Sequence, residues 1–179
     1  MLHSKVSKRY ARALSQWAGE KGKQEEVARD LRAISQIFQQ SPEFDAFLKN
    51  PGIDGDQRQQ TLGALLKSKI DPLTFDFIIF LEKKRRLNQL KSICQIFEDL
   101  YLKDRGILKA QVTSARRLED AQLQAISSKL KARFGREVFT DLSVDPSLIG
   151  GFKIQIEDMI RDFSIKTQLQ RFKNRILNR

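Results

Sequence analysis

The spacing of apolar residues changes once along this chain, and this change constrains the fold more than any other feature. As far as residue 105, apolar residues recur every three to four positions, which is the period of a helix with one buried face. After Gly106 they alternate with polar residues, as over residues 108–112, which is the period of a half-buried strand. The chain is therefore predicted to be mainly α, with a helical domain over residues 1–105 and a smaller α/β domain over residues 106–179.

The first domain holds six predicted helices, which makes it a candidate six-helix bundle. Their starts and stops carry the expected residues, such as Ser41 before Pro42 and an Asp54 that resembles the first residue of a capping box with Gln57. The fifth helix, opening at Asp71, is apolar on nearly every side. That pattern predicts either burial on several faces or an apolar strip presented to a partner.

In the second domain the pattern predicts strands and helices in alternation. A helix that ends at Gly135 follows the first strand, and Gly150 and Gly151 form a turn that needs a positive φ. The predicted order after the first strand is a helix over residues 118–134, strands over 138–144 and 152–156, a hairpin partner over 159–163 and a last helix from about residue 164.

The rare residues exclude several classes of site. The single Cys94 rules out an internal disulfide and a cysteine zinc site, and its apolar neighbours predict a buried structural thiol. The single His3 removes Ser-His-Asp catalysis and histidine metal sites. The longest apolar run, residues 75–81, is too short for a membrane span, and the start of the chain lacks the apolar segment of a secretory signal. We expect a cytoplasmic protein with no catalytic, cofactor or metal site.

The charge balance predicts an acidic partner. The chain has 33 Lys and Arg against 22 Asp and Glu, a net charge of +11 at pH 7. The densest basic run, residues 83–86, suits a solvated helix end, since cations complement the negative end of the helix dipole. It could also bind phosphates, so a basic helical nucleic-acid-binding adaptor is the alternative function.

The order of several short motifs resembles one known family. The residues that carry the resemblance are Val144-Asp145-Pro146-Ser147-Leu148-Ile149-Gly150-Gly151-Phe152, Asp158-Met159, Asp162, Ser164, Leu169, Tyr10-Ala11-Arg12-Ala13-Leu14, Asn50-Pro51, Arg86-Leu87, Gly106 and Ser114-Ala115. Together they are similar to the ATP synthase delta subunit family, which includes the mitochondrial oligomycin-sensitivity-conferring protein. The chain departs from the family pattern at Glu157, Arg161, Phe163 and Thr167, which make its last hairpin bulkier and more polar.

The resemblance implies a non-catalytic stator subunit of the rotary ATP synthase, present in one copy per complex. Such a subunit links the catalytic head to the peripheral stalk, so that proton flow is coupled to ATP synthesis. In the family, a six-helix bundle receives the N-terminal helices of alpha subunits, and the α/β domain contacts the b subunits. The resemblance places the subunit at the cytoplasmic face of a bacterial cell membrane, which it reaches only indirectly through the complex.

The resemblance also suggests which residues meet the partners. The alpha-subunit surface would lie on the first and fifth helices, where the small Ala13 allows close approach and aromatic side chains anchor a partner helix. These residues could instead be internal core. The last helix is the candidate for the b subunits, although it could equally cover the small sheet. The alpha-subunit candidates are Tyr10, Ala13, Leu14, Trp17, Phe77, Phe80 and Leu81, and the b-subunit candidates are Ile165, Leu169, Phe172 and Ile176.

Overall fold

A computed structural model describes residues 4–156 and 159–177 of the chain. The chain divides into two units, residues 1–101 and 102–179. The described residues form eight α-helices and a four-stranded sheet, so the fold is mainly helical. In chain order the elements are α1 (Lys5–Glu20), α2 (Gln24–Gln40), α3 (Pro42–Lys49), α4 (Gly55–Leu66), α5 (Pro72–Lys83), α6 (Leu90–Asp104), β1 (Leu108–Ser114), α7 (Asp120–Phe134), β2 (Val138–Val144), β3 (Phe152–Ile156), β4 (Met159–Asp162) and α8 (Ile165–Leu177).

Polar side chains begin most of these helices. Ser4 and Asp71 accept hydrogen bonds from backbone N–H groups in the first turns of α1 and α5, which would otherwise lack partners. Asp54 caps α4 by accepting from the N–H of Asp56, rather than through the box expected with Gln57. A reciprocal capping box forms instead at the start of α7, where Glu119 is the N-cap residue.

The interior of the first unit is formed by the apolar faces of its helices, and α5 is buried on several sides as its sequence predicts. Two polar residues of α5, Thr74 and Glu82, are also buried. Thr74 Oγ1 donates to the buried carboxylate of Asp30 on α2, at 2.9 Å, and the backbone N–H of Asp71 donates to the same oxygen at 2.7 Å. These two hydrogen bonds offset the cost of burying the Asp30 carboxylate. They also connect α2 to the start of α5.

The second unit contains a mixed sheet with strand order β2-β1-β3-β4. The strands β1 and β2 are parallel and joined by α7, whereas β3 is antiparallel to both β1 and β4. Alternate residues of β1 are buried, as the two-residue period predicts. One sheet face forms a core around Ala110, Val112, Ile154 and Ile156, and Ile126, Leu130 and Phe134 of α7 pack against it.

The two adjacent glycines fix the start of α8. Gly151 has φ +74°, as the predicted turn requires, and a Cβ there would overlap the backbone carbonyl of Phe163. The carbonyl of Gly150 accepts from the N–H of Ile165 at 3.0 Å, and Asp162 Oδ1 accepts from the N–H of Ser164 at 2.8 Å. These hydrogen bonds therefore connect the glycine turn directly to the start of α8.

Three of the four departures from the family pattern lie in this region. Arg161 is an exposed residue of β4, and the ring of Phe163 packs on that of Phe152 with centroids 5.5 Å apart. Thr167 Oγ1 donates to Asp162 at 2.9 Å, so its hydroxyl supports the first turn of α8. The fourth departure, Glu157, lies outside the described residues, as do Asp158 and His3.

Candidate partner-binding surfaces

Three contacts along their lengths show that α1 and α5 run antiparallel. Near the start of α1, Ser7 Oγ donates to Gln89 Oε1, beyond the end of α5, at 2.7 Å. In the middle, the rings of Tyr10 and Phe80 meet edge to face with centroids 6.2 Å apart. Past the end of α1, Lys23 Nζ lies 2.8 Å from the carboxylate of Asp71, the N-cap residue of α5.

The seven residues expected on these two helices divide into an inner and an outer set. Leu14, Phe77 and Leu81 are buried in the interior of the first unit. Tyr10 and Trp17 are half-buried, Ala13 is exposed, and Phe80 is 42% exposed. The outer set of Tyr10, Ala13, Trp17 and Phe80 forms a surface that we call the α1–α5 seam.

Two cations lie against the aromatic rings of the seam. The guanidinium of Arg9 lies 5.9 Å from the centroid of the Tyr10 ring, and Lys84 Nζ lies 5.7 Å from that of Phe80. Both distances fall within the range of cation–π attraction. The sequence predicted a solvated helix end or a phosphate contact for Lys84, and it did not single out Arg9. Spacing in the sequence could have indicated both contacts: Lys84 follows Phe80 by four residues, and Arg9 directly precedes Tyr10.

The ion pair between Lys23 and Asp71 sets the electrostatics at the other end of the pair of helices. The Asp71 carboxylate accepts from Lys23 and also from the backbone N–H of Leu73, at 2.9 Å. These interactions, led by the bond from Lys23, hold the pKa of Asp71 below its usual range. The same bond raises the pKa of Lys23. The pair therefore stays charged at neutral pH and joins the two helix ends.

A second ion pair is buried at the end of α5. Arg58 Nη1 donates to Glu82 Oε1 at 2.9 Å, and the two side chains are 12% and 5% exposed. The other terminal nitrogen of Arg58 donates to the carbonyls of Asn50 and Ile53, in the loop between α3 and α4. This arginine thus connects that loop to α5, the helix that carries Phe80.

Cys94 is buried in α6, as predicted for a structural thiol. Burial raises the pKa of its thiol to about 12, because the thiolate would lose its hydration there. The neutral thiol is unreactive at neutral pH, since the thiolate is the nucleophilic form.

The candidate residues on α8 form an exposed apolar strip. Ile165, Leu169, Phe172 and Ile176 recur at three- and four-residue intervals and are 44%, 57%, 67% and 67% exposed, in that order. The core face of the sheet is covered by α7, so covering that core is not the role of this strip. A contiguous apolar strip on a charged helix is a common feature of protein–protein contact sites.

Neither a metal cluster nor a membrane span is found in the part of the chain that the structure describes. Residues 4–156 and 159–177 bring together no group of three or more His, Cys, Asp or Glu side chains that could hold a metal ion. No helix within these residues has the length and apolarity needed to cross a bilayer. An antiparallel seam with exposed aromatic rings in one unit, and an exposed apolar strip in the other, are typical of an adaptor that binds other chains.

Comparisons with known proteins identify the family. The family model described as "ATP synthase delta (OSCP) subunit" matches residues 6–176. The ATP synthase subunit delta of Symbiobacterium thermophilum is 31% identical over 178 residues, which are 99% of this chain and 96% of that protein. The corresponding subunit of Halalkalibacterium halodurans is 34% identical over 170 residues, which are 94% and 93% of the two chains. The chain therefore belongs to the ATP synthase delta (OSCP) subunit family.

A solved structure agrees on the fold. A chain in the cryo-EM structure of the Toxoplasma gondii mitochondrial ATP synthase hexamer matches with a TM-score of 0.73 and 24% identity, over 97% of this chain and 98% of that one. Membership in the family makes the chain a non-catalytic stator subunit of ATP synthase, a peripheral part of the complex.

Proposed function

We propose that the two units hold different parts of the ATP synthase. The helical domain, residues 1–105, acts as a six-helix bundle that binds the N-terminal helices of alpha subunits on the α1–α5 seam. The α/β domain, residues 106–179, binds the ends of the b subunits through the α8 strip. One copy per complex, at the cytoplasmic face of a bacterial membrane, then resists the torque that rotation exerts on the catalytic head.

The proposed binding of alpha subunits rests on one observation, the exposure of Ala13 between two aromatic side chains. Ala13 is exposed between the larger, half-buried Tyr10 and Trp17, so we assign it to the floor of a groove along α1, with the exposed Phe80 on the α5 side. An amphipathic helix can lay its apolar face in such a groove, and aromatic anchors contribute strongly to binding of this kind.

The inner residues support this surface from below. Leu14, Phe77 and Leu81 pack in the interior, so we assign them to holding α1 against α5 rather than to direct contact. Direct contact with the alpha-subunit helix is proposed for Tyr10, Ala13, Trp17 and Phe80.

The b-subunit half rests on the exposure of the α8 strip. Leu169, Phe172 and Ile176 are exposed to water, so the chain lacks the stabilisation that burial of their apolar surface would give. A partner helix packed on this strip would recover that free energy. The polar residues between the apolar ones keep α8 soluble until the partner binds.

Fluorescence provides the direct test of the alpha-subunit surface. Trp17 is the single tryptophan of the chain and lies in the seam. An alpha-subunit N-terminal peptide without tryptophan should shift the Trp17 emission to shorter wavelength in a saturable titration of the full chain, because the peptide excludes water from the indole. The proposal would be refuted if the peptide bound by calorimetry while the Trp17 spectrum stayed constant, or if it did not bind.

A further inference from the structure

Basic groups gather at one end of the α1–α5 seam. Arg9 and Lys84 lie over the rings of Tyr10 and Phe80, where the middle of α1 meets the end of α5. Lys83 precedes Lys84 and is also exposed. A cation held on an exposed ring remains open to a carboxylate on a bound partner.

Acidic groups lie toward the other end of the seam. Asp76 is exposed one turn before Phe80, and the antiparallel course of the helices puts it on the side of Trp17. Glu20 is exposed ten residues after Tyr10, roughly 15 Å farther along α1. Gln16 Nε2 donates to Glu20 Oε1 at 3.1 Å, which holds this carboxylate along the helix. Lys21 is exposed directly after Glu20, and Lys23 is paired with Asp71, so this end carries only a small excess of negative charge. The seam therefore changes from positive to weakly negative along its length.

The stability of α1 does not explain this order of charges. A helix is stabilised by anions in its first turn and cations in its last, because these charges complement its dipole. The first turn of α1 has no acidic residue and its last turn has no basic one. Instead Lys5 and Lys8 lie near its start and Glu20 is its last residue. Of the charges at the ends of α1, the dipole favours only that of the C-cap residue Lys21, so the charge order points to a role outside the folded chain.

We propose that the seam selects the direction of its partner helix by charge. The partner end that lies over Tyr10 and Phe80 carries carboxylates, and the end beyond Trp17 carries cations. This inference rests on the proposed function of the seam and adds the partner's charge order to it. Like charges brought together weaken binding, so a helix docked in reverse is disfavoured.

The effect of charge order can be separated from other effects with three synthetic peptides. Each has about 18 residues, which is long enough for a marginal helix in water. All three share one apolar face and zero net charge. The bipolar peptide has glutamates at one end and lysines at the other, the mixed peptide has the same residues alternating, and the neutral peptide has glutamine at those positions. Because the net charge is equal, the +11 charge of the chain does not favour any of them.

We expect the bipolar peptide to bind the full chain about five- to tenfold more tightly than the mixed peptide at low salt, as a few solvent-exposed ion pairs would give. Raising the salt to about 1 M should remove the difference by screening. Lys84→Glu should abolish the preference. Lys67→Glu, an equal change of charge at an exposed lysine on the end of α4, should preserve it.

Equal affinities of the bipolar and mixed peptides for the natural chain would overturn the inference. A preference that survives Lys84→Glu would overturn it as well. If the neutral peptide binds in either case, the seam itself remains a helix-binding surface and only the charge order is wrong. If none of the three peptides binds, the proposed seam is wrong and the inference falls with it.

Discussion

The rings of Tyr10 and Phe80 meet edge to face where α1 packs beside α5, with their centroids 6.2 Å apart. Both rings keep part of their surface in water, while Leu14 and Phe77, close to them along the chain, are buried. The same pair of helices thus contributes an inner face to the core and an outer face to the surface. This division leads to predictions in which stability and binding respond separately.

Removing Arg58 from its buried ion pair should strongly destabilise the first unit. Arg58→Met leaves the carboxylate of Glu82 buried without its counter-charge, which typically costs about 3–5 kcal/mol. Lys49→Met removes an exposed pair with Asp45 and should cost less than about 0.5 kcal/mol. Urea unfolding followed by Trp17 emission measures both. Equal midpoints for the two variants would contradict the assignment of the Arg58 pair.

The Asp71 carboxylate should make the first unit more stable at neutral than at acid pH. Its pKa is lowered in the folded chain by Lys23 and by the N–H of Leu73. A lowered pKa adds stability above the unfolded value, about 4, and the contribution is lost as the pH falls through the folded value.

Asp71→Asn isolates this contribution, because asparagine can still cap α5 but does not titrate. Between about pH 6 and pH 2, the urea midpoint of the natural chain should fall more than that of the variant. The lowered pKa values of Glu43, Asp145 and Asp162 act in both proteins and cancel in the comparison. Parallel pH profiles would show that Asp71 does not contribute.

Much of this architecture was predictable from local patterns. The period change at Gly106, the capping residue Asp71 and the Gly135 helix stop all depend on neighbours within a few positions. The all-round apolar sequence of α5 indicated burial on several faces, and α5 is buried on several faces. Such signals are local, since each depends on backbone geometry and on which side of one element is apolar.

Other features depend on which elements meet, and a single sequence does not specify this. The apolar side of α1 includes both Leu14 and Tyr10, and only the packing of the other helices around α1 makes one buried and the other half-buried. The bond from Thr74 to Asp30 joins residues 44 positions apart. The α8 strip could cover a sheet or remain exposed, because amphipathicity defines an apolar face but not its contact.

Gly151→Ala should disrupt the start of α8. The substitution imposes a positive φ on alanine and drives its Cβ into the carbonyl of Phe163. Gly135→Ala also has a positive φ but meets no atom within 4 Å, so it should cost only about 1–2 kcal/mol. Hydrogen exchange of the Ile165 amide, which donates to Gly150, should accelerate far more in Gly151→Ala. Similar rates in both variants would contradict the close approach.

Phe172→Ser should separate b-subunit binding from folding. The side chain is 67% exposed, so thermal stability should change by less than about 0.5 kcal/mol. If the strip is the contact, affinity for the end of a b subunit should fall at least about tenfold, as for an aromatic anchor. Asn174→Ser, an exposed position on the opposite side of α8, is the matched control. Unchanged affinity of Phe172→Ser in calorimetry would exclude the strip.

The groove on α1 is tested most directly by three alanine-to-leucine variants. Ala13 is exposed in the seam, Ala11 is fully buried on the core side of the same helix, and Ala33 is exposed on α2. Calorimetric titration with an alpha-subunit N-terminal peptide gives the affinity, and thermal unfolding gives the stability. Ala33→Leu should change neither quantity, since its side chain meets neither the core nor the seam.

For Ala13→Leu we expect peptide binding to weaken by about 1–3 kcal/mol, the usual scale for overfilling a close contact, or roughly ten- to a hundredfold. Its melting temperature should stay within a degree or two of the natural value, roughly the effect expected of a surface substitution. Ala11→Leu should instead lower the melting temperature by several degrees, since the added volume enters the core. A large fall in melting temperature for Ala13→Leu with unchanged peptide affinity would contradict the seam as the alpha-subunit surface.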